Sequence, residues 1–118
     1  LAEHLQAFAS AHAVDVQATL TEFTARACVA DVLRHAPEAK ELIVCGGGAL
    51  NGWLMKRLQA GLPQLDVVSS QERGMPPLQV EATAFAWLAR QTVRGQPGNL
   101  PKVTGAQGAR ILGGIFPA

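Results

Sequence analysis

Three consecutive glycines between an apolar run and a helix-like segment are the residues of this sequence best suited to chemistry. Gly46, Gly47 and Gly48 follow the apolar residues 42–45 and precede Asn51. Glycine has no Cβ and tolerates positive φ, so a ligand can approach such a backbone closely. A helix that begins after the turn also offers free N–H groups and the positive end of its dipole, which attract phosphate. The segment is therefore a candidate nucleotide-binding turn.

Two well-known phosphate-binding motifs do not fit this turn. A Walker-type loop requires Lys followed by Ser or Thr at the helix start, but Asn51 stands there and the next lysine is Lys56. A dinucleotide fingerprint requires a glycine in place of Asn51. It also requires an acidic residue about 20 positions later; Asp66 precedes Val67 and Val68, which is the wrong end of a strand to reach a ribose. A tight strand-to-helix turn without a ligand is the alternative.

Cysteine and histidine form no metal or disulfide pattern. Cys28 and Cys45 have no second Cys or His at the short spacing that zinc ligation needs. We expect both to be small buried hydrophobic residues in a reducing cytoplasm, and no metal site is predicted. The histidines, His4, His12 and His35, are expected on the surface or at helix ends.

The longest element that must support the turn is a helix ahead of it. Asp15 is expected to cap this helix, which should cover about residues 16–36 and end at Pro37. Apolar residues fall on one face of the helix, as is typical of a helix that packs on a core. They are Val16, Leu20, Phe23, Ala27, Ala30 and Leu33.

Two strands and a second helix surround the turn itself. Residues 41–45 end in an apolar run that stops at the first glycine, the pattern of a buried parallel strand. A helix is expected to open at Asn51 or Gly52 and to run to residue 62, and residues 66–69 should form a second strand. The order strand, glycine turn, helix, strand predicts an α/β fold with a small sheet.

A third helix is predicted over about residues 78–94, because Pro76 and Pro77 suit a first helical turn and a glycine follows its end. Its apolar residues circle much of the helix, so burial on two sides is expected. The glycine-rich tail, residues 96–118, should be loop with an edge strand within residues 111–116.

Glu81 is a lone acidic residue on an otherwise apolar helix. It is one of three acidic residues after Gly46 and lies in the first turn of the third helix. A carboxylate is also favoured at that place by the helix dipole, so helix stabilisation is the alternative. Trp53 and Trp87 are interpreted as core or interface residues rather than as platforms on which a ligand stacks.

The composition excludes several classes of protein. The chain has 118 residues, 48% of them apolar and 16% charged, with a net charge of +1. These values predict one globular domain and give no reason to expect disorder or nucleic-acid binding. No apolar run approaches the ~18 residues of a membrane span. The mean hydropathy of +0.15 indicates leftover apolar surface. Because the chain begins at Leu1 in a helical pattern without Met, residues 1–14 are expected to be a truncated helix and linker.

Four motifs, in order, resemble the carboxy-terminal third of the anhydro-N-acetylmuramic acid kinases, in the sugar kinase, actin and heat-shock chaperone superfamily. They are IVCGGGALNGWLMKRL, EATAFAWLA, GNLPKVTGA and ARILGGIFPA. The segment DVQATLTEFTARA is similar to the family's long helix ahead of the glycine turn. The resemblance covers nearly the whole chain from Asp15 onward.

The resemblance implies a fold and a reaction. Residues 15–118 would be a carboxy-terminal nucleotide-binding subdomain of an actin-like ATPase, ribonuclease H-like, with a small sheet and about three long helices. The whole protein would be a bacterial cytoplasmic kinase that uses ATP and Mg²⁺. It would cleave the 1,6-anhydro ring of an amino sugar and phosphorylate it to N-acetylmuramic acid 6-phosphate in peptidoglycan recycling.

The resemblance also implies roles for particular residues and partners. Gly46, Gly47, Gly48 and Asn51 would face adenosine and phosphate, and Glu81 would lie near the sugar's anhydro bridge. The family's phosphate loop and aspartate general base precede the matched segments, so we expect no catalytic residue in this chain and no activity from it alone. The expected partners are ATP, the sugar and the missing amino-terminal domain, with no nucleic acid and no membrane; homodimerisation stays open. The alternatives are another carbohydrate kinase of this superfamily and a non-catalytic folding or oligomerisation module.

Overall fold

The structure, a computed structural model, describes residues 6–117. Its main elements alternate between helix and strand, as the sequence predicts. They are a 3-10 helix at Gln6–Phe8, helix α1 (Ala13–His35), strand β1 (Glu41–Val44), helix α2 (Gly52–Gly61), strand β2 (Asp66–Ser69), helix α3 (Val80–Val93) and the single turn α4 (Pro101–Thr104). The chain divides into two compact units, of which the first ends at Pro77 and the second begins at Leu78. The predictions for Leu1, His4 and Leu5 lie outside the described residues.

The two strands form the parallel sheet that the sequence predicts. Glu41 lies opposite Asp66 and Val44 opposite Ser69, and α2 provides the crossover that a parallel pair requires. The expected burial of β1 is wrong, because Ile43 is 49% exposed. A parallel strand is fully buried when both faces of its sheet are covered, and the first unit does not cover both.

A small core holds α1, α2 and the start of β2 together. Its buried apolar residues are Ala25, Leu58, Leu62 and Leu65. The helices pack closely at Gly61, where a Cβ would lie 2.6 Å from Cγ2 of Val29. The amide of Gln59 then ties α2 to the strand, because its oxygen accepts a hydrogen bond from the Val67 N–H at 3.1 Å.

The predicted apolar face of α1 is not the face that packs. Thr21 and Ala25 are buried, whereas Phe23 is 72% exposed and Ala27 and Ala30 are also exposed. At 3.6 residues per turn the two sets lie about 180° apart around the helix. Gly61 lets the two helices approach closely beside Val29, while the large apolar residues Phe23 and Leu33 face outward.

The start of α1 also differs from the prediction. The helix begins at Ala13 with His12 at the cap position, and no side chain caps it. Asp15 is therefore not the cap but a residue of the first turn, where the helix dipole favours a carboxylate. The surface or helix-end positions predicted for His12 and His35 are confirmed.

Helix α3 follows Pro77 and ends before Gly95, close to its predicted limits. The expected burial on two sides is wrong, because none of its residues is buried and Phe85 and Trp87 are largely exposed. In the second unit its cover is the glycine-rich tail, which is too short to surround a helix. Residues 111–116 form no strand, and the turn α4 was not predicted.

Three further residues expected in apolar surroundings are exposed. Cys28 and Cys45 are exposed free thiols rather than buried hydrophobic residues. Cys45 follows the last residue of β1, and Cys28 is exposed although it lies three positions after Ala25, on the packed side of α1. Trp53 is also exposed, at 54%, so of its two predicted roles the core role is wrong and the interface role stays a prediction.

Candidate functional site

The glycine turn follows β1 and has a defined backbone conformation. Gly46 has φ +69°, a value that favours glycine, and the next four residues form a 3-10 helix, Gly47–Leu50. The N–H of Gly46 donates to the carbonyl oxygen of Pro77 at 2.9 Å, which fixes the turn to the end of the first unit. The turn closes where the Asn51 N–H donates to the oxygen of Gly48 at 3.0 Å.

Packing does not account for all three glycines. Gly46 is required by its positive φ, but a Cβ at Gly47 would meet no described atom within 4 Å. A Cβ at Gly48 would lie 3.4 Å from Cδ2 of Leu54, an ordinary contact. The described part of the chain therefore tolerates a methyl group at residues 47 and 48. Open space beside a glycine backbone is what a closely approaching ligand needs.

Asn51 is the cap of α2. Its Oδ1 accepts hydrogen bonds from the N–H groups of Trp53 and Leu54, both at 3.1 Å. These are two of the N–H groups that a helix start leaves without an intrahelical acceptor. The N–H groups of Gly47 and Gly48, at the start of the 3-10 helix, and of Gly52, at the start of α2, are further donors of this kind. Free donors at a helix start can bind an anion.

An ion pair between α1 and α2 holds the part of α2 that follows its cap. Glu22 of α1 accepts hydrogen bonds from Nε of Arg57 at 2.6 Å and from Nε of Arg26 at 2.8 Å. These bonds, that from Arg57 first, lower the pKa of Glu22 from 4.5 to about 2. The guanidinium carbon of Arg57 lies 5.9 Å from the centroid of the Trp53 ring, within the range of a cation–π contact.

A second ion pair fixes the start of the sheet. Arg73 binds both carboxylate oxygens of Glu41, and its bond from Nε is 3.1 Å long. This hydrogen bonding raises the pKa of Arg73. Arg73 belongs to a 3-10 helix after β2 that Ser69 and Glu72 stabilise with a capping box. This pair therefore ties the start of β1 to the segment that follows β2.

Glu81 lies in the second unit, in the first turn of α3, and is exposed. Gln79, which stands at the cap position of α3, forms no capping hydrogen bond with its side chain. The position agrees with stabilisation by the helix dipole, the alternative given by the sequence. Contact with a sugar stays a prediction for this residue.

Among residues 6–117, no group of three or more His, Cys, Asp or Glu side chains could hold a metal ion. None of the helices described there has the length and apolar character to cross a membrane.

Sequence reasoning missed the contacts that hold the site in place. Glu22 and Arg57 are 35 positions apart, and no local pattern announces their pairing. No local pattern indicates either that the carbonyl oxygen of Pro77 accepts a hydrogen bond from the N–H of Gly46. A signal did exist for Glu22, since it is the charged residue next to the small, packed residues of α1. It could not be interpreted without knowing which face packs.

The sequence was compared with known families and curated proteins. A model of the family described as Anhydro-N-acetylmuramic acid kinase matches residues 1–118. A protein of that name from Variovorax paradoxus is 64% identical over 104 residues, which are 88% of this chain and 28% of the relative. One from Albidiferax ferrireducens is 63% identical over 97% of this chain and 29% of its own length. One from Xanthomonas campestris is 49% identical over 100% of this chain and 32% of its own. The chain thus spans less than a third of the length of these relatives.

Proposed function

Because this chain belongs to the anhydro-N-acetylmuramic acid kinase family, we propose that residues 15–118 form the ATP-binding part of such a kinase. The longer protein that contains the chain, called the parent kinase below, cleaves the 1,6-anhydro ring of anhydro-N-acetylmuramic acid and phosphorylates the product to N-acetylmuramic acid 6-phosphate. This places the parent in peptidoglycan recycling in the bacterial cytoplasm. The observation that carries the proposal is the glycine turn after β1, with its open space and its two free N–H donors.

The turn binds ATP through its backbone. The N–H groups of Gly47 and Gly48 donate to phosphate oxygens, and the absence of a Cβ lets the nucleotide come close. Gly46 sets the direction of the chain through its φ of +69°. Asn51 acts as a positioning residue, since its side chain is engaged by the helix it caps. Phosphoryl transfer depends mainly on positioning and charge stabilisation, and this is the contribution that such a turn supplies.

The remaining catalytic groups belong to the rest of the parent kinase. Residues 6–117 hold no group of three or more His, Cys, Asp or Glu side chains for a metal, and the Mg²⁺ of the reaction is proposed to be held by the rest of the parent kinase together with the phosphates of ATP. The general base that activates water is likewise outside residues 15–118. Glu81 is the residue of this chain proposed to contact the sugar near its anhydro bridge. The chain alone does not turn over the sugar.

The fold proposed for residues 15–118 is an actin-like ATPase subdomain, ribonuclease H-like. Two parallel strands joined by a helix, with a long helix before them, support this assignment. The outward face of α1, with Phe23, Ala27 and Ala30, is proposed to be covered by the rest of the parent kinase. More than two thirds of the relatives' length lies outside the matched segment and is available to cover it.

An ATP titration of the parent kinase tests the proposed nucleotide site. We expect Gly47→Val to weaken ATP binding at least tenfold, because a branched side chain fills the space that the nucleotide needs. Gly108→Ala is the matched control, since its Cβ would meet the movable end of the Arg110 side chain rather than backbone. Unchanged ATP affinity in Gly47→Val, with an unchanged melting temperature, would remove the turn from the binding site.

The titration also separates the kinase proposal from the non-catalytic alternative. The exposed apolar face of α1 is the observation that favours a folding or oligomerisation module. Such a module would show no heat of ATP binding in the parent, and Gly47→Val would alter neither its stability nor its association. Phosphorylation of the anhydro sugar by the parent, lost in Gly47→Val and kept in Gly108→Ala, supports the kinase.

A further inference from the structure

A small cavity with charged walls lies between α1 and α2. Glu22 and Arg26 line it from α1 and Arg57 lines it from α2, and small residues such as Ala25 and Ala60 form the rest of its wall. From α2 only the second half of the helix takes part, so the cavity shares no residue with the glycine turn or with the first turn of α2. Its volume of about 230 Å³ is below the ~300–1,000 Å³ of sites that enclose drug-sized molecules, which suits a small ion.

The charged side chains of this cavity carry a net positive charge. Glu22 is the acidic residue of the lining, and it is paired with both Arg26 and Arg57. Each guanidinium has five N–H donors. Glu22 accepts one bond from Arg26 and two from Arg57, and neither arginine has another acceptor among residues 6–117. One positive charge and most of the N–H donors are therefore available to a ligand.

The two arginines are positioned differently, and together they can bind an anion. Arg57 is held in a fixed direction, because its Nε donates to Glu22 at 2.6 Å and its guanidinium carbon lies 5.9 Å from the centroid of the Trp53 ring. Arg26 is held through Nε alone and 80% of its side chain is exposed, so its terminal nitrogens can turn toward a ligand. Planar guanidinium groups match the oxygens of a carboxylate or a phosphate. The helix dipole does not help, since α2 ends at Gly61 with its negative pole.

The ion pair at the start of the sheet provides a contrast within the same unit. Arg73 pairs with Glu41 there, and no second arginine shares that carboxylate among the described residues. Hydrogen bonding to Glu41 raises the pKa of Arg73, and the negative charges of Glu72 and Asp66 raise it further. Acidic groups therefore outnumber the arginine at that pair, and an anion would be repelled.

We propose that the cavity between α1 and α2 is a binding site for a small oxyanion, which a phosphate-type group fills by bridging Arg26 and Arg57. The site is separate from the proposed ATP site, because the two share no residue. The bound anion neutralises the excess positive charge. It also adds a link between α1 and α2, since each helix contributes one of the two arginines.

Inorganic phosphate is the probe, titrated into the parent kinase while NMR follows the arginine Nε–H signals. The Nε–H groups of Arg26, Arg57 and Arg73 all donate to a carboxylate, so each has a defined position whose signal can be followed. Phosphate at the glycine turn does not interfere, because each signal reports its own surroundings. We expect saturable shifts at Arg26 and Arg57 and none at Arg73. Sodium chloride at matched ionic strength controls for screening and should give no saturable shift.

Two variants change the charge of the cavity in opposite directions. Arg26→Gln removes the excess positive charge and should raise the Kd measured at Arg57 about tenfold, as expected for the loss of a charge-assisted hydrogen bond. Its melting temperature should change little, because Arg26 belongs to an exposed pair within one helix. Glu22→Gln removes the competing carboxylate and should lower the same Kd severalfold, a gain that a loss of folding cannot produce. Arg73→Gln is the matched control and should leave the Kd unchanged.

The failure of this inference differs from the failure of the proposed function. Equal shifts at Arg57 and Arg73, or a Kd that Arg26→Gln leaves unchanged, would overturn the oxyanion site. The absence of a saturable shift at Arg57 would do the same, since it would mean that Glu22 or another part of the parent kinase satisfies both arginines. None of these results would affect ATP binding at the turn. Gly47→Val, in turn, should lose ATP and keep the phosphate shifts at Arg26 and Arg57.

Discussion

The chain contains two glycine-rich regions, the turn at residues 46–48 and the tail after Gly95, and they differ in what surrounds them. The turn is joined to Pro77 by a hydrogen bond and runs into a helix capped by Asn51. The tail is also hydrogen-bonded, since the N–H of Arg110 donates to Oδ1 of Asn99 at 2.7 Å. Both regions contain glycines with positive φ.

The difference lies in the packing beneath each region. The buried residues among residues 6–117 all lie in the first unit. They belong to α1, to α2, to the segments at either end of β2 and to Pro77, the last residue of the unit. The second unit contains no buried residue among residues 78–117. A turn can hold free N–H groups in a fixed direction only when its ends are fixed by a core. Glycine content therefore shows where the backbone can adopt unusual φ values. Packing decides which of these segments can hold its free N–H groups in a fixed direction for a ligand.

The largest expected effect tests the packing contrast directly. Leu62 is fully buried, so Leu62→Ala should lower the free energy of unfolding of the chain by about 2–5 kcal/mol. Leu88 of α3 is half-buried, and Leu88→Ala should have a clearly smaller effect. Urea unfolding of the two variants measures both values. Equal losses would show that packing in the second unit contributes as much to the free energy of unfolding as packing in the first.

An intermediate effect separates the two asparagines. Asn51→Ala removes the cap of α2 and should cost about 1 kcal/mol, because two N–H groups lose their acceptor. Asn99→Ala removes bonds between two loop segments of a unit without buried residues among residues 78–117, and it should cost less. Thermal unfolding, with the helical circular dichroism signal, measures both. A greater loss in Asn99→Ala would place the better-ordered region in the tail.

The smallest effect concerns the pH dependence of the Glu22 ion pair. Because its folded-state pKa of about 2 lies below the ordinary 4.5, the pair stabilises the fold fully above pH 4.5. That contribution should disappear as the pH falls toward 2. The melting temperatures of wild type and Glu22→Gln should differ above pH 4.5 and converge near pH 2. A constant difference over this range would mean that the charge on Glu22 is not what stabilises the pair.

Much of this contrast could be predicted from the sequence, and the rest required long-range contacts. The strand at residues 66–69 and the helix after Asn51 matched because prolines, glycines and apolar runs mark their ends locally. The packed face of α1 did not match. Thr21 and Ala25 are buried by residues of α2 far along the chain, and no periodicity distinguishes them from the larger apolar residues opposite.

The same limit applies to the candidate site. The three glycines were identified because glycine next to a strand end is itself the signal. The role of Asn51 as a cap needed the direction of its side chain, and the exposure of Trp53 needed the position of Arg57. The residue types therefore predict that such a turn can bind a ligand. The geometry of the turn depends on long-range contacts, which the spacing of residues in the sequence does not reveal.

Hydrogen exchange of the parent kinase, with and without ATP, tests the central claim most directly. The N–H groups of Gly47 and Gly48 have no intrahelical acceptor, so they should exchange rapidly in the free protein. Bound phosphate would accept their hydrogen bonds, and exchange across residues 44–54 should slow markedly at saturating ATP. Unchanged exchange at Gly47 and Gly48, with slowing confined to the tail, would contradict the assignment of the nucleotide site.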